Sequence, residues 1–114
     1  MNAGKETAKK NEIVAGIASW YSESDPGVKK YTASGKRFDS NQMWAASWDY
    51  PFGTRLKITN VHNGRCIIVT VEDRGPAKRL NRKIDLTKAA FRKLDYVGKG
   101  LIHVTIERID DING

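Results

Sequence analysis

Two aspartates stand twelve positions apart in the segment VEDRGPAKRLNRKIDLT, residues 71–87, and the loop between them carries Arg74, Lys78, Arg79, Arg82 and Lys83. Asp73 closes an apolar alternating run, so Ile67, Val69, Val71 and Asp73 share one strand face while Ile68, Thr70 and Glu72 share the other. A carboxylate partly withdrawn from water has its charged form disfavoured, which lifts its pKa and suits it to proton transfer near neutrality. Arg74, next in sequence, pulls the other way. From residue types alone Asp73 either carries a proton or caps the turn at Gly75-Pro76 and pairs with Arg74. Asp85 has the same two readings: an acid, or a structural carboxylate bonded to amides near a helix start. The basic loop is either a solvated face or a clamp on ligand oxygens and carboxylates.

The elements that must position these groups are legible in outline. EIVAGIASWYS predicts a strand ending in Trp20 and Tyr21, followed by a long loop with turn signals at Asp25-Pro26-Gly27, Ser34-Gly35 and Asp39-Ser40-Asn41. TRLKITNVHNGRCIIVTVED predicts a hairpin about Asn63-Gly64, a pair that suits a type I′ turn. RKIDLTKAAFRKL predicts a short strand and then a helix, with Thr87 as N-cap, Leu86 stapled on Phe91, and Ala90, Phe91 and Leu94 inward. GKGLIHVTIERI predicts a final strand with Ile102, Val104 and Ile106 inward and His103, Thr105 and Glu107 outward. Many short strands and one helix are met by a small closed barrel, which removes exposed sheet edges.

A chain of 114 residues with 39% hydrophobic content supports one domain. Residues 1–12 read as a disordered lead, 13–110 as the domain and 111–114 as a tail. No apolar run approaches the ~18 residues of a membrane span, and the first residues lack the apolar stretch of a signal peptide. Cys66, the only cysteine, excludes an internal disulfide and a cysteine-rich metal site, and is expected to be a small packed side chain. The net charge of +7, from 20 basic and 13 acidic residues, favours a polyanionic partner: nucleic acid, an acidic envelope polymer or a membrane surface. No nucleic-acid motif accompanies the charge, so nucleic acid is not the favoured partner.

The blocks GIASWYS, YTASGKRFDSNQMWAAS, PFGTRLKITNVHNGR, VEDRGP and KIDLTKAAFRKL, in order within a match that runs from about Gly16 to Ile109, resemble those of the rare lipoprotein A family, the double-psi β-barrel lytic transglycosylases. The resemblance implies a mainly β fold, a six-stranded double-psi barrel with one or two short helices, and a groove across one side. It also implies cleavage between N-acetylmuramic acid and N-acetylglucosamine in stem-free peptidoglycan strands, giving 1,6-anhydro ends without cofactor or metal. Hydrolytic glycosidases commonly use two carboxylates. Here the sugar's own 6-hydroxyl attacks, so one group that first gives and then takes a proton suffices, and the resemblance places that role on Asp73. Asp85 matches a groove aspartate of the related expansins and endoglucanases. A monomer acting in the bacterial periplasm or cell envelope follows, with contact to the membrane only through a lipid anchor or signal segment removed from this chain. The alternative is an expansin-like module that binds glycan without cutting.

The chain departs from that family at two places, where a glutamate and a histidine are replaced by Lys36 and Ser47. A glutamate near Asp73 raises its pKa, whereas Lys36 lowers it, so weakened catalysis is expected. Ser47 keeps a hydroxyl able to bond a sugar. His62 and His103 read as ordinary surface or barrel residues. Of the aromatics crowding the first half, Trp20 is expected inside or at the rim. Tyr21, Trp48 and Tyr50, with Lys36, Ser47 and Arg74, are the expected substrate contacts.

Overall fold

A computed structural model describes residues 12–109, so the predicted lead, save for Glu12, and the whole of the predicted tail lie outside the described residues. Six strands, β1 (Ile13–Tyr21), β2 (Trp44–Ala46), β3 (Arg55–Asn60), β4 (Cys66–Asp73), β5 (Ile84–Thr87) and β6 (Ile102–Ile109), close into a barrel. The order around it is β1-β5-β2-β4-β3-β6. Two parallel pairs, β1 with β5 and β2 with β4, interrupt an otherwise antiparallel circuit. The parallel partners are not consecutive in the chain: β2 reaches β4 through β3, and β1 reaches β5 through β2–β4, while the long 22–43 and 74–83 segments carry the chain from β1 to β2 and from β4 to β5, which are not neighbours in the barrel. Closure leaves no edge strand to template pairing with another chain.

Strand alternation sets the core. Leu56 and Ile58 of β3, Val69 and Val71 of β4, and Ile102, Val104 and Ile106 of β6 are buried, while His103 on the opposite face is exposed. One helix, α1 (Lys88–Leu94), turns Ala90, Phe91 and Leu94 onto the barrel, and all three are fully buried. At ~1.5–3 kcal/mol for each large apolar side chain, Phe91 and Leu94 anchor it. Buried Asn60 then ties strand to helix: its amide donates to Leu94 O and Asp95 Oδ2, each at 3.0 Å.

Three local expectations need correction. The hairpin forms, but residues 61–65 make a five-residue loop in which Gly64 alone has positive φ. Asn63 instead accepts from Arg65 N–H through Oδ1 and donates to Leu94 O, so its side chain shapes the loop. Thr87 occupies the N-cap position without capping through its side chain, because its hydroxyl donates to Gln42 O at 2.6 Å. Cys66 is exposed at the open end of β4 rather than packed. Among the described residues no helix is long and apolar enough to cross a membrane.

Candidate active site

The short strand β2 brings the two aspartates together. Its last residue, Ala46, is in register with Asp73 of β4 on one side and Asp85 of β5 on the other. Strands lie ~4.8 Å apart, so the two aspartate backbones stand roughly 10 Å apart across one alanine. Both line a cavity of about 500 Å³ shared with Tyr21, Tyr31, Arg74 and Pro76. Gly75 keeps its floor low: a Cβ there would lie 3.4 Å from Ala46 Cβ and 3.6 Å from Asp85 Oδ2, at a φ of +154°.

Asp73 is partly exposed at the end of the buried Val69–Val71 row, at the rim that the alternation predicts. Its Oδ1 accepts from Ala33 N–H at 2.9 Å and Arg74 N–H at 3.0 Å, and its Oδ2 from the Tyr21 hydroxyl at 3.0 Å. Burial, and then the charge of Asp73, hold the Tyr21 hydroxyl well above its ordinary range, so Tyr21 is a donor in this pair. Tyr21 is itself stacked on buried Phe38, ring centroids 4.9 Å apart. The Asp85 side chain is 16% exposed. Burial is the main cause lifting its pKa above the ordinary value, opposed by the hydrogen bond from Ser19 Oγ to Oδ1 and by Arg82, whose Nε lies 3.9 Å from Oδ1.

Register explains a residue that the sequence reading passed over. The β2–β4 pairing slips between Ala45 and Ala46, so Val71 and Asp73 pair while Glu72 is skipped. Glu72 is only 6% exposed. It accepts from Ser34 Oγ at 2.8 Å and from Lys36 Nζ at 3.0 Å, and its carbonyl accepts from Ser34 N–H. Residues 32–36 form a tight turn in which Thr32 N–H bonds Lys36 O and Gly35 N–H bonds Thr32 O, and the same turn presents Ala33 N–H to Asp73. Lys36 is therefore paired with Glu72, not set as a bare charge against Asp73 as the sequence suggested. The available signal was a glutamate beside the key aspartate in a strand otherwise rich in Val, Ile and Thr. Ala33, which acts through its backbone, offers no such signal.

The other expected contacts divide. Tyr21 and Arg74 line the cavity. Arg74 also holds the neighbouring loop, its Nη1 donating to Ser47 O at 2.8 Å and Tyr50 O at 2.9 Å while its guanidinium lies 3.9 Å from the Phe52 ring centroid. Ser47 is 1% exposed and its hydroxyl accepts from Asp49 N–H, so a sugar cannot reach it without rearrangement. Tyr50 is 3% exposed and part of the core cluster, so it packs the barrel instead of lining the groove. Trp48 is 48% exposed and walls an adjacent cavity, donating from Nε1 to Pro76 O. Among the described residues no cluster of His, Cys, Asp and Glu is fit to hold a metal.

A family model described as lytic transglycolase matches residues 13–106. The chain is 46% identical over 92 residues to a probable endolytic peptidoglycan transglycosylase RlpA of Nostoc, covering 81% of this chain and 24% of that protein. It is 42% identical over 111 residues to an endolytic peptidoglycan transglycosylase RlpA of Neisseria meningitidis serogroup A, covering 94% and 45%. The chain thus spans less than half the length of these curated relatives. Among solved structures, Streptomyces papain inhibitor superposes with a TM-score of 0.69 at 26% identity, over 87% of this chain and 96% of that one. An apo expansin of Clavibacter michiganensis gives a TM-score of 0.69 at 23% identity, over 88% and 52%, a likeness of fold alone.

Proposed function

The chain belongs to the lytic transglycolase family, and from that premise we propose that its aspartate-lined groove cleaves peptidoglycan glycan strands between N-acetylmuramic acid and N-acetylglucosamine. Protonated Asp73 gives its proton to the departing glycosidic oxygen, and the muramic 6-hydroxyl then closes on C1, its proton passing to the Asp73 carboxylate. The cycle returns Asp73 to its starting state and ends in a 1,6-anhydro sugar with no water consumed. Tyr21 O–H and the N–H groups of Ala33 and Arg74 fix the carboxyl's orientation between the two transfers. Asp85 sits across Ala46 as a second carboxyl whose pKa burial lifts above that of an ordinary aspartate. A domain with such a substrate works in the bacterial cell envelope.

The observation that carries this reading is the position of Asp73: partly exposed, in a cavity open to solvent, with donors on both carboxyl oxygens. Incubation with stem-free glycan strands, with anhydro ends read by mass spectrometry, is the test. The parent chain is expected to generate them and Asp73→Asn to lose at least ~100-fold in rate. Strand binding by a parent chain that forms no anhydro ends would replace cleavage with the non-catalytic, expansin-like reading.

A further inference from the structure

Beyond Pro76 lies a second cavity of about 550 Å³, lined by Trp48, Asp49, Lys78, Arg82 and Lys83. Pro76 lines both cavities, and the Trp48 Nε1–Pro76 O bond of 2.6 Å builds the low wall between them. A strand lying along the Asp73–Asp85 groove that continues over this wall enters the second cavity. Gly16 makes room for its far side, because a Cβ there would fall 2.5 Å from Lys83 Cβ, and so β1 accepts the 82–83 segment at close range.

The charges in this cavity are unbalanced. Lys78, Arg82 and Lys83 line it with Asp49 as the one carboxylate; Asp49 is taken by Lys83 at 3.0 Å, and Arg82 pairs with Asp85 of the adjoining groove. Lys78 has no carboxylate partner among the described residues; its ammonium rests 5.0 Å from the Trp48 ring centroid. Arg82 Nε is buried without a hydrogen bond, its approach to Asp85 at 3.9 Å being too long for one. That nitrogen is turned inward towards Asp85, and it is the rest of the Arg82 side chain, 27% exposed, that meets the cavity. With Lys83 paired to Asp49 and Arg82 to Asp85, Lys78 is the one cation left over, and the residual field suits a single negative charge more than a phosphodiester chain. The half-exposed indole adds an apolar wall for a sugar ring.

We propose that this second cavity is a subsite for one carboxylate carried by the bound glycan, the free lactyl carboxylate of a muramic residue beyond the scissile linkage, held by Lys78 beside the exposed part of Arg82. The proposal rests on the glycan reading of the adjoining groove. It makes the domain sensitive to whether that carboxylate is free or joined in an amide, as it is when a peptide stem is attached.

Binding without cleavage separates the two ideas. Asp73→Asn protein, with and without Lys78→Gln, is titrated by calorimetry with three ligands of equal length: a stem-free oligosaccharide with free lactyl carboxylates, its carboxamide derivative, and a chitin oligosaccharide. The acid form is expected to bind about tenfold more tightly than the amide, an advantage that shrinks with salt, and Lys78→Gln to weaken the acid form alone by about fivefold. The Trp48 indole N–H resonance should shift with the acid ligand only. Equal affinity for acid and amide, or an equal loss for all three ligands in Lys78→Gln, overturns the carboxylate subsite while leaving the groove's glycan reading intact. Failure of all three to bind overturns both.

Discussion

Lys36→Glu is the substitution for which the sequence and the structure expect opposite results. Resemblance to the family makes it restorative, since it returns a glutamate to its usual place. The structure makes it harmful, because Lys36 Nζ lies 3.0 Å from Glu72 Oε2 and the Glu72 side chain is only 8% exposed. Losing the pair costs about 0.5–1 kcal/mol, a figure kept low because the lysine side chain is 57% exposed. Setting a second carboxylate beside Glu72 adds repulsion of similar size, giving roughly 1–2 kcal/mol in all. For a domain of this size that is a fall in Tm of about 5–12 °C. Thermal unfolding followed by circular dichroism at pH 7 measures it. The fall should largely vanish when Glu72 is also changed to Gln. Because the same turn aims Ala33 N–H at Asp73, cleavage should fall with stability. An undiminished Tm, an equal fall in the Glu72→Gln background, or faster cleavage would refute the reasoning and return Lys36 to a direct action on Asp73.

Asp85→Asn should change how stability depends on pH. The folded state holds a proton on Asp85 above its ordinary value of 3.8, so stability falls as pH rises from there through the raised folded value. Asn keeps an acceptor for Ser19 and removes that fall, by about 1.4 kcal/mol for each tenfold by which folding tightens the hold on the proton, so parallel denaturation curves for parent and variant would count against it. Gly75→Ala places a methyl at a φ of +154° against Ala46 and Asp85, and should cost ~1–3 kcal/mol by urea titration, with a larger proportional loss of cleavage than of stability. Asn60→Ala removes the side-chain amide that joins Leu94 O to Asp95 Oδ2, with Asn63 left as donor to Leu94 O, and an expected loss of about 0.5–1.5 kcal/mol with activity unchanged at permissive temperature would separate barrel integrity from the groove.

What could be read in the sequence follows how local each signal is. Strand alternation located the inward rows of β4 and β6, and the placement of Asp73 at the end of one row follows from a period of two residues. The fold came from ordered blocks, since nothing in composition distinguishes a double-psi closure from another small barrel. The misses are cases where tertiary contact overrides local preference. Thr87 suits a cap, yet the carbonyl of Gln42 from the long crossover takes its hydroxyl. Tyr50 stands in a loop beside the expected groove, and the core claims its ring. Glu72 looks like an outward residue until the skipped register and the 32–36 turn enclose it.

Both aspartates are set against a single alanine of a three-residue strand, whereas ten residues of chain, 75–84, join Arg74 to Asp85 by an outer route. The distance between the two acids is therefore insulated from the length of that route. Evolution, or a protein engineer grafting segments between Ala77 and Lys83, is free to reshape what the domain recognises next to the groove without re-spacing its chemistry.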